Sequence, residues 1–210
     1  MRRYTDNGRV YKMNMNETVI IILAGGSSSR LGRPKQLLPF GNSTLIERMV
    51  DTALKAAIGK VIVVTGAHEE PITGILAGAN ITIVQNKQWE EGMSSSIRRG
   101  IEAMCDEGSS PTAVLLCVCD QPFVTPQILI SMVSEKEEGQ KGIIACGYAG
   151  TIGVPVLFDS RYFYVLQHLA ASEGAKSLLF RYKEDVGTIA FPEGATDIDT
   201  EQDYTRLLAG

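Results

Sequence analysis

Short β-branched runs alternate along this chain with longer stretches whose apolar residues recur every three or four positions. The first run, residues 19–24, predicts a buried strand over 19–23 and is far too short to cross a membrane. After a Gly/Ser-rich stretch from Gly25 to Gly32, the residues Leu45, Ile46, Met49, Val50, Ala53, Leu54 and Ala57 share one helical face, with Ser43 as the expected N-cap. Further strands are expected over 61–65, 81–84 and the fully apolar 113–118. Between them a short helix is expected over 68–76. A longer one over 93–104 carries Ile97, Ile101 and Met104 on one face. Thr125 is placed to cap a helix over 126–134 with Pro126 in its first turn, and the charged residues 135–138 read as its solvated end. The last third predicts strands over 143–146, 154–158 and 186–190, and helices over 161–169, 174–182 and 201–208.

Strands and helices that alternate through short connections predict an α/β fold, a mostly parallel sheet with helices on both faces. Ligands in such sheets bind beyond the carboxyl ends of the strands. Both the Gly-rich stretch and Asp120 follow predicted strands, so both are expected there. Residues 17–210 are expected to form one domain, and the polar, aperiodic residues 1–16 a flexible extension, with Met13 and Met15 as alternative starts. The 210 residues, 44% apolar and 21% charged, suit a single soluble domain. A net charge of −4 without a long basic run speaks against nucleic acid as a partner. Arg2 and Arg3 are followed by no apolar signal segment, so no membrane partner and a cytoplasmic location are expected. Four cysteines without a C-x-x-C pair, and two histidines, do not make a structural zinc site. Cys117 and Cys119 lie two apart, so both thiols are expected on one side of a strand, buried and reduced.

Candidate chemistry concentrates in Leu23-Ala24-Gly25-Gly26-Ser27-Ser28-Ser29-Arg30-Leu31-Gly32-Arg33-Pro34-Lys35. Glycines directly after a strand let backbone N–H groups approach a polyphosphate with no Cβ in the way. Arg30 offers a fork of donors and Lys35 a compact point charge. The spacing matches neither G-x-x-x-x-G-K-[ST] nor G-x-G-x-x-G. A glycine turn carrying two solvated cations is the plain alternative; the combination with Arg30 and Lys35 favours phosphate binding. Asp120, before Gln121-Pro122, suits either a turn or a Mg²⁺ ion shared with phosphate oxygens. Asp197-Ile198-Asp199-Thr200 reads by itself as helix capping, and as a metal site only where the fold brings it to Asp120. In Asn86-x-x-Trp89-x-x-Gly92-Met93-Ser94-Ser95-Ser96, the first two serines read as caps, Ser96 equally as cap or ligand contact, and Trp89 as a packing residue.

Taken together, LAGGSSSRLGRPKQLLPFG, NKQWEEGMSSSIRRGI, CDQP, GVPVLF, EGAKSLL and DIDTEQDY resemble, in this order, the MobA-like nucleotidyltransferase family, and within it the branch of molybdenum cofactor cytidylyltransferases. The resemblance runs from about Val19 to Leu208. It implies a Rossmann-like nucleotidyltransferase fold and Mg²⁺-dependent transfer of a nucleoside monophosphate. It also implies roles. Leu23, Ala24, Gly25 and Gly26 would hold the nucleotide, Ser96 its base, and Lys35 and Arg30 the triphosphate as catalytic groups. Asp120 with Asp199, or Asp197 in its place, would bind Mg²⁺. The implied acceptor is the terminal phosphate of a molybdopterin-type cofactor, with a molybdenum hydroxylase as recipient. Two positions depart from the branch pattern. Gly25 makes LAGG, the guanylyl form, where the cytidylyl branch reads LAAG; Val154 stands where that branch often has histidine. The five-residue step from Arg30 to Lys35 and GMSSSIRRGI follow the cytidylyl side, so CTP is expected over GTP. The alternatives are a guanylyltransferase, a sugar-1-phosphate nucleotidyltransferase, or a non-catalytic accessory protein that binds the cofactor.

Overall fold

The computed structural model of the chain describes residues 2–6, 9–13, 18–106, 110–171 and 173–209. Of the segment expected as an extension, residues 1, 7–8 and 14–16 lie outside the described residues. The rest forms β1 (Arg2–Asp6) and β2 (Arg9–Met13), which pair antiparallel with each other, apart from the main sheet.

The main sheet begins with β3 (Thr18–Leu23), whose six residues are all buried, as a β-branched run covered on both faces must be. A two-residue pair, β4 (Pro39–Phe40) with β5 (Ser43–Thr44), leads into α1 (Leu45–Ala56). The helix begins at Leu45, one residue later than Ser43 would cap, so Thr44, the last residue of β5, is its N-cap. Thr44 Oγ1 accepts from Glu47 N, and Thr44 N donates to the Glu47 carboxylate at 2.8 Å, a capping box. The chain continues through β6 (Gly59–Thr65), α2 (Glu69–Ile75), β7 (Thr82–Gln85), α3 (Met93–Asp106), β8 (Ala113–Val118) and α4 (Pro126–Glu138). Thr125 caps α4 as expected, and the helix runs on through the charged residues 135–138. Next come β9 (Ile143–Tyr148), β10 (Thr151–Asp159), α5 (Phe163–Gln167), α6 (Ala175–Arg181), β11 (Val186–Ala190) and α7 (Glu201–Ala209).

Strand order is β11-β9-β10-β8-β3-β6-β7. All neighbours are parallel except β10, which runs antiparallel to both β8 and β9. The expected α/β architecture, mostly parallel and covered on both faces, is therefore the observed one. β9 and β10 are both longer than their apolar runs, because they extend as a hairpin past the core, where Gly147, Tyr148, Thr151 and Gly153 interrupt the apolar pattern.

Strand alternation sorts the core into two layers. Ile20 and Ile22 of β3 face α1, α2 and α4 with Met49, Ile72, Leu129 and Met132; Val19, Ile21 and Leu23 face α3, α5 and α6 with Ile97, Ile101, Leu166 and Leu178. Cys117 and Cys119 fall in the first layer together, buried as free thiols. A third, small cluster joins Leu31, Leu38 and Leu45 to Ile198 and Tyr204. It packs the start of α7 against the end of the Gly-rich stretch, and Tyr204 Oη donates to Pro39 O at 2.7 Å. Among the described residues no helix is long and apolar enough to cross a membrane.

Candidate active site

β3, β6 and β8 run parallel and end together, so the Gly-rich loop and Asp120 emerge side by side at one edge of the sheet. The loop is pinned at its base: Ala24 N donates to Val64 O at 2.9 Å. Gln36, 1% exposed, holds it from below, with Nε2 donating to Ala24 O and Gly26 O, both at 2.9 Å. Ser28, at φ 56°, closes the turn: its carbonyl accepts from Leu31 N and Gly32 N, and its Oγ accepts from Lys35 N. A methyl group on Gly25 would stand 2.9 Å from Ser96 Oγ, so an alanine there would have to turn that hydroxyl aside. Among the described residues no acceptor meets the N–H groups of Gly25 and Gly26. Donors left open on a glycine loop at a strand end are the elements of an anion cradle.

Lys35 lies where three distant segments meet. Its Nζ donates to Asp120 Oδ2 at 2.8 Å and to Asp199 Oδ1 at 2.8 Å. Arg30 Nη2 donates to the other oxygen, Asp199 Oδ2, at 2.7 Å. Side-chain exposure is 16% for Lys35, 20% for Asp120 and 29% for Asp199, but 69% for Arg30. Lys35 is thus an inner cation and Arg30 an outer one. The hydrogen bond from Lys35, supported by Arg30 and opposed by burial, lowers the Asp199 carboxyl below its usual pKa. Burial works against the Lys35 ammonium, but Asp120 and Asp199 outweigh it and its pKa is raised. Asp197 moves the other way: burial first, then Asp199 and Asp120, raise its pKa. Burial, with Asp120 adding to it, pushes the Cys119 thiol up to about 12, so it is no nucleophile.

Beside this cluster opens a cleft of about 350 Å³, lined by Leu23, Gly25, Gly26, Lys35, Ser96 and Asp120 among others. Most residues expected to hold a nucleotide therefore share one cleft. Ala24 does not line it: it is buried, and its N–H and carbonyl are engaged with Val64 and Gln36. Arg30 and Asp199 join from the rim through the Lys35 cluster. Ser94 and Ser95, expected as caps, lie inside α3 instead: Ser94 Oγ donates to Ala171 O at 3.2 Å and Ser95 Oγ to Gly92 O at 2.7 Å, so neither accepts a helix N–H as a cap does. Buried Asn86 Nδ2 donates to both Ser95 Oγ and Ser96 Oγ, which orients Ser96 in the cleft. Trp89, expected as a packing residue, is half-buried and lines the cleft, together with Met93 and Gln36. Nothing local in the sequence marks these three, apart from the closeness of Trp89 and Met93 to Ser96.

The pair Asp120 and Asp199 suits a hard cation that takes one or two carboxylates and completes its shell with phosphate oxygens and water. Among the described residues no group of three or more His, Cys, Asp or Glu side chains is arranged for an ion. Such an ion would thus depend on the ligand for most of its coordination. A second, more polar recess of about 440 Å³ lies by Gln85, Lys87, Arg98 and Arg99. Its arginines are already engaged, Arg98 with Glu91 and Leu169 O, and Arg99 with Gln85 O.

Nicotine blue oxidoreductase of Paenarthrobacter nicotinovorans is 26% identical to this chain over 202 residues, spanning 90% of the chain and 95% of that protein. Purine catabolism protein PucB of Bacillus subtilis is 26% identical over 198 residues, spanning 89% and 94%. The crystal structure of Rv0371c from Mycobacterium tuberculosis superposes with a TM-score of 0.80 at 28% identity, over 94% of this chain and 100% of that one. A manganese complex of the same protein superposes with a TM-score of 0.76 at 26% identity, over 93% and 100%. The MobA-like NTP transferase domain model matches residues 20–186, which include the Gly-rich loop, Lys35, Ser96 and Asp120. The chain belongs to the MobA-like NTP transferase family.

Proposed function

We propose that the chain transfers CMP from CTP to the terminal phosphate of a molybdopterin-type cofactor, in a Mg²⁺-dependent reaction that releases pyrophosphate. The observation that carries this reading is the convergence of Lys35, Asp120 and Asp199 at the mouth of a cleft floored by Gly25 and Gly26. The family alone does not decide the reaction, since its two relatives above bear names of different activities. What supports the reading is the residue set: two carboxylates, an inner ammonium and open backbone donors suit a triphosphate.

In this reaction a new bond forms between an acceptor phosphate oxygen and the α-phosphorus, and the bond from that phosphorus to the β-phosphate bridge breaks. Asp120 and Asp199 would hold a Mg²⁺ ion, which would supply charge neutralisation on the phosphates. The N–H groups of Gly25 and Gly26 hold phosphate oxygens. The Lys35 ammonium moves from its two carboxylates onto the transferred phosphoryl group, and Arg30 at the rim holds the departing pyrophosphate. The attacking phosphate monoester has a second pKa of about 6, so it is largely dianionic at neutral pH and needs no general base. Catalysis then rests on alignment and charge stabilisation.

For the base, Ser96, oriented by Asn86, is the contact on the cytidylyl side. A guanylyl reading rests on Gly25, because the alanine usual in cytidylyl relatives would crowd Ser96 Oγ here. Thermal-shift measurements with CTP, GTP, UTP and ATP in Mg²⁺ separate the two. A nucleotide at 100 times its Kd adds about 2.7 kcal/mol of stability. Pyrophosphate release from CTP and the cofactor then tests the transfer itself. Cofactor binding without pyrophosphate release would replace this reading with that of an accessory protein serving a molybdenum hydroxylase.

A further inference from the structure

The nucleotide cleft approaches Asp120 from one side. The β9–β10 hairpin borders the other. β10 pairs with β8 only over residues 156–159; the register shifts between Gly153 and Val156, and residues 151–153 continue past the carboxyl end of β8 with β9 as their partner. The hairpin closes through Ala149 and Gly150, both at positive φ (47° and 72°), a tight two-residue turn whose twist suits the strands. Tyr148, opposite Thr151, is the last residue of β9.

Its ring is fixed on three sides. Phe191 meets it edge-on, with centroids 6.4 Å apart. A methyl group on Gly194 would lie 2.7 Å from its Cδ1, and one on Gly153 only 2.2 Å from its Oη. Neither glycine has a positive φ, so what both supply is room for this ring. The ring lies against Gly194, whose carbonyl is bonded by Gln121, so the phenol stands beside the Asp120–Gln121 turn, within electrostatic reach of Asp197 and Asp120. Gln121 is 5% exposed and ties the Asp120 turn to the segment before Asp197, Nε2 donating to Gly194 O at 3.0 Å. Its Oε1 is the one buried side-chain polar atom without a hydrogen-bond partner among the described residues.

We infer that Tyr148 is the acceptor-side contact of the transferase site: its hydroxyl donates a hydrogen bond to the phosphate of the phosphorylated acceptor, on the flank of Asp120 opposite the nucleotide cleft. This rests on the transferase reading above. Asp120, Asp197 and Asp199 make that flank repel a phosphate unless donors meet it, and the phenol is a neutral donor held in place. Burial raises its pKa, Cys146, Asp197 and Asp120 add to the rise and Gln121 opposes it, so the oxygen stays a hydroxyl at neutral pH. Tyr148 does not line the nucleotide cleft, so its loss separates the two substrates.

The test is Tyr148→Phe, which keeps the ring and its packing. Fluorescence titration with molybdopterin cofactor should show about tenfold weaker binding, the size of one hydrogen bond to a charged group. The Kd for CTP and the thermal midpoint should stay at wild-type values. Gly153→Ala, which displaces the hydroxyl without removing it, should weaken the cofactor in the same selective way. An unchanged cofactor Kd in both variants, or equal weakening of CTP and cofactor, overturns the inference. A wild-type chain that binds the cofactor but releases no pyrophosphate removes the transferase reading alone, and the Tyr148→Phe titration still decides the contact. A wild-type chain that does not bind the cofactor overturns the contact as well.

Discussion

Lys35 places one ammonium between two carboxylates, and the consequences can be measured residue by residue. Lys35→Ala should lower kcat by about 10²–10³, the cost of losing one preorganised charge contact, while single-turnover CTP binding persists; normal turnover in this variant would remove Lys35 from the mechanism. The same pair sets an acid limit on stability. The folded Asp199 carboxyl sits below its ordinary 3.8 because of Lys35 and Arg30. Its contribution is therefore fully present above that ordinary value and is lost as pH falls through the lower folded one. Melting curves collected on acidification below about pH 4 should fall more steeply for wild type than for Asp199→Asn; parallel curves would show that the pair contributes nothing. Residue identity alone showed Lys35, Asp120 and Gly25 as candidates, because charge and glycine follow strand ends. Gln36 stayed hidden and Trp89 read as a packing residue, since a buried glutamine and a half-buried tryptophan acquire their meaning from what folds over them.

At the scale of elements, local rules explain most of what forms. The alternation in β3 and the helical face of α1 are written in apolar spacing, and Thr125 before Pro126 starts α4 as such a pair should. The exception at α1 has a local cause too: Glu47 stands three residues after Thr44 and closes a capping box with it, whereas Ser43 lies one residue too early. Thr44→Ala should therefore cost about 1 kcal/mol of stability, read by urea denaturation, whereas Ser43→Ala should cost almost nothing. Equal losses would mean the cap is not where the geometry puts it. The β9–β10 hairpin was the harder element. Its glycines and tyrosine break the apolar pattern where the strands leave the core, so only the apolar middle of each was legible.

On the scale of the whole molecule, the site depends on a joint between the two ends of the domain. Ile198 is fully buried between Asp197 and Asp199, packed with Leu31, Leu38, Leu45 and Tyr204. That small cluster, rather than either aspartate, carries Asp199 to within 2.8 Å of Lys35, 164 positions away. Ile198→Ala should cost about 2–5 kcal/mol and, in the folded enzyme, weaken metal binding measured by Mn²⁺ titration with CTP present. A stable variant with unchanged Mn²⁺ affinity would show that Asp199 is placed by other means. The order and kind of the main-sheet strands and their covering helices, the α/β class and the glycine loop with its cations were determined by the sequence alone, because hydrophobic period and backbone permissiveness act over a few neighbouring residues. Which carboxylates meet which amine, which face Trp89 and Tyr148 present, and where Gln121 is left without a partner were decided only by tertiary packing, because those relations join segments whose separation along the chain carries no local signal.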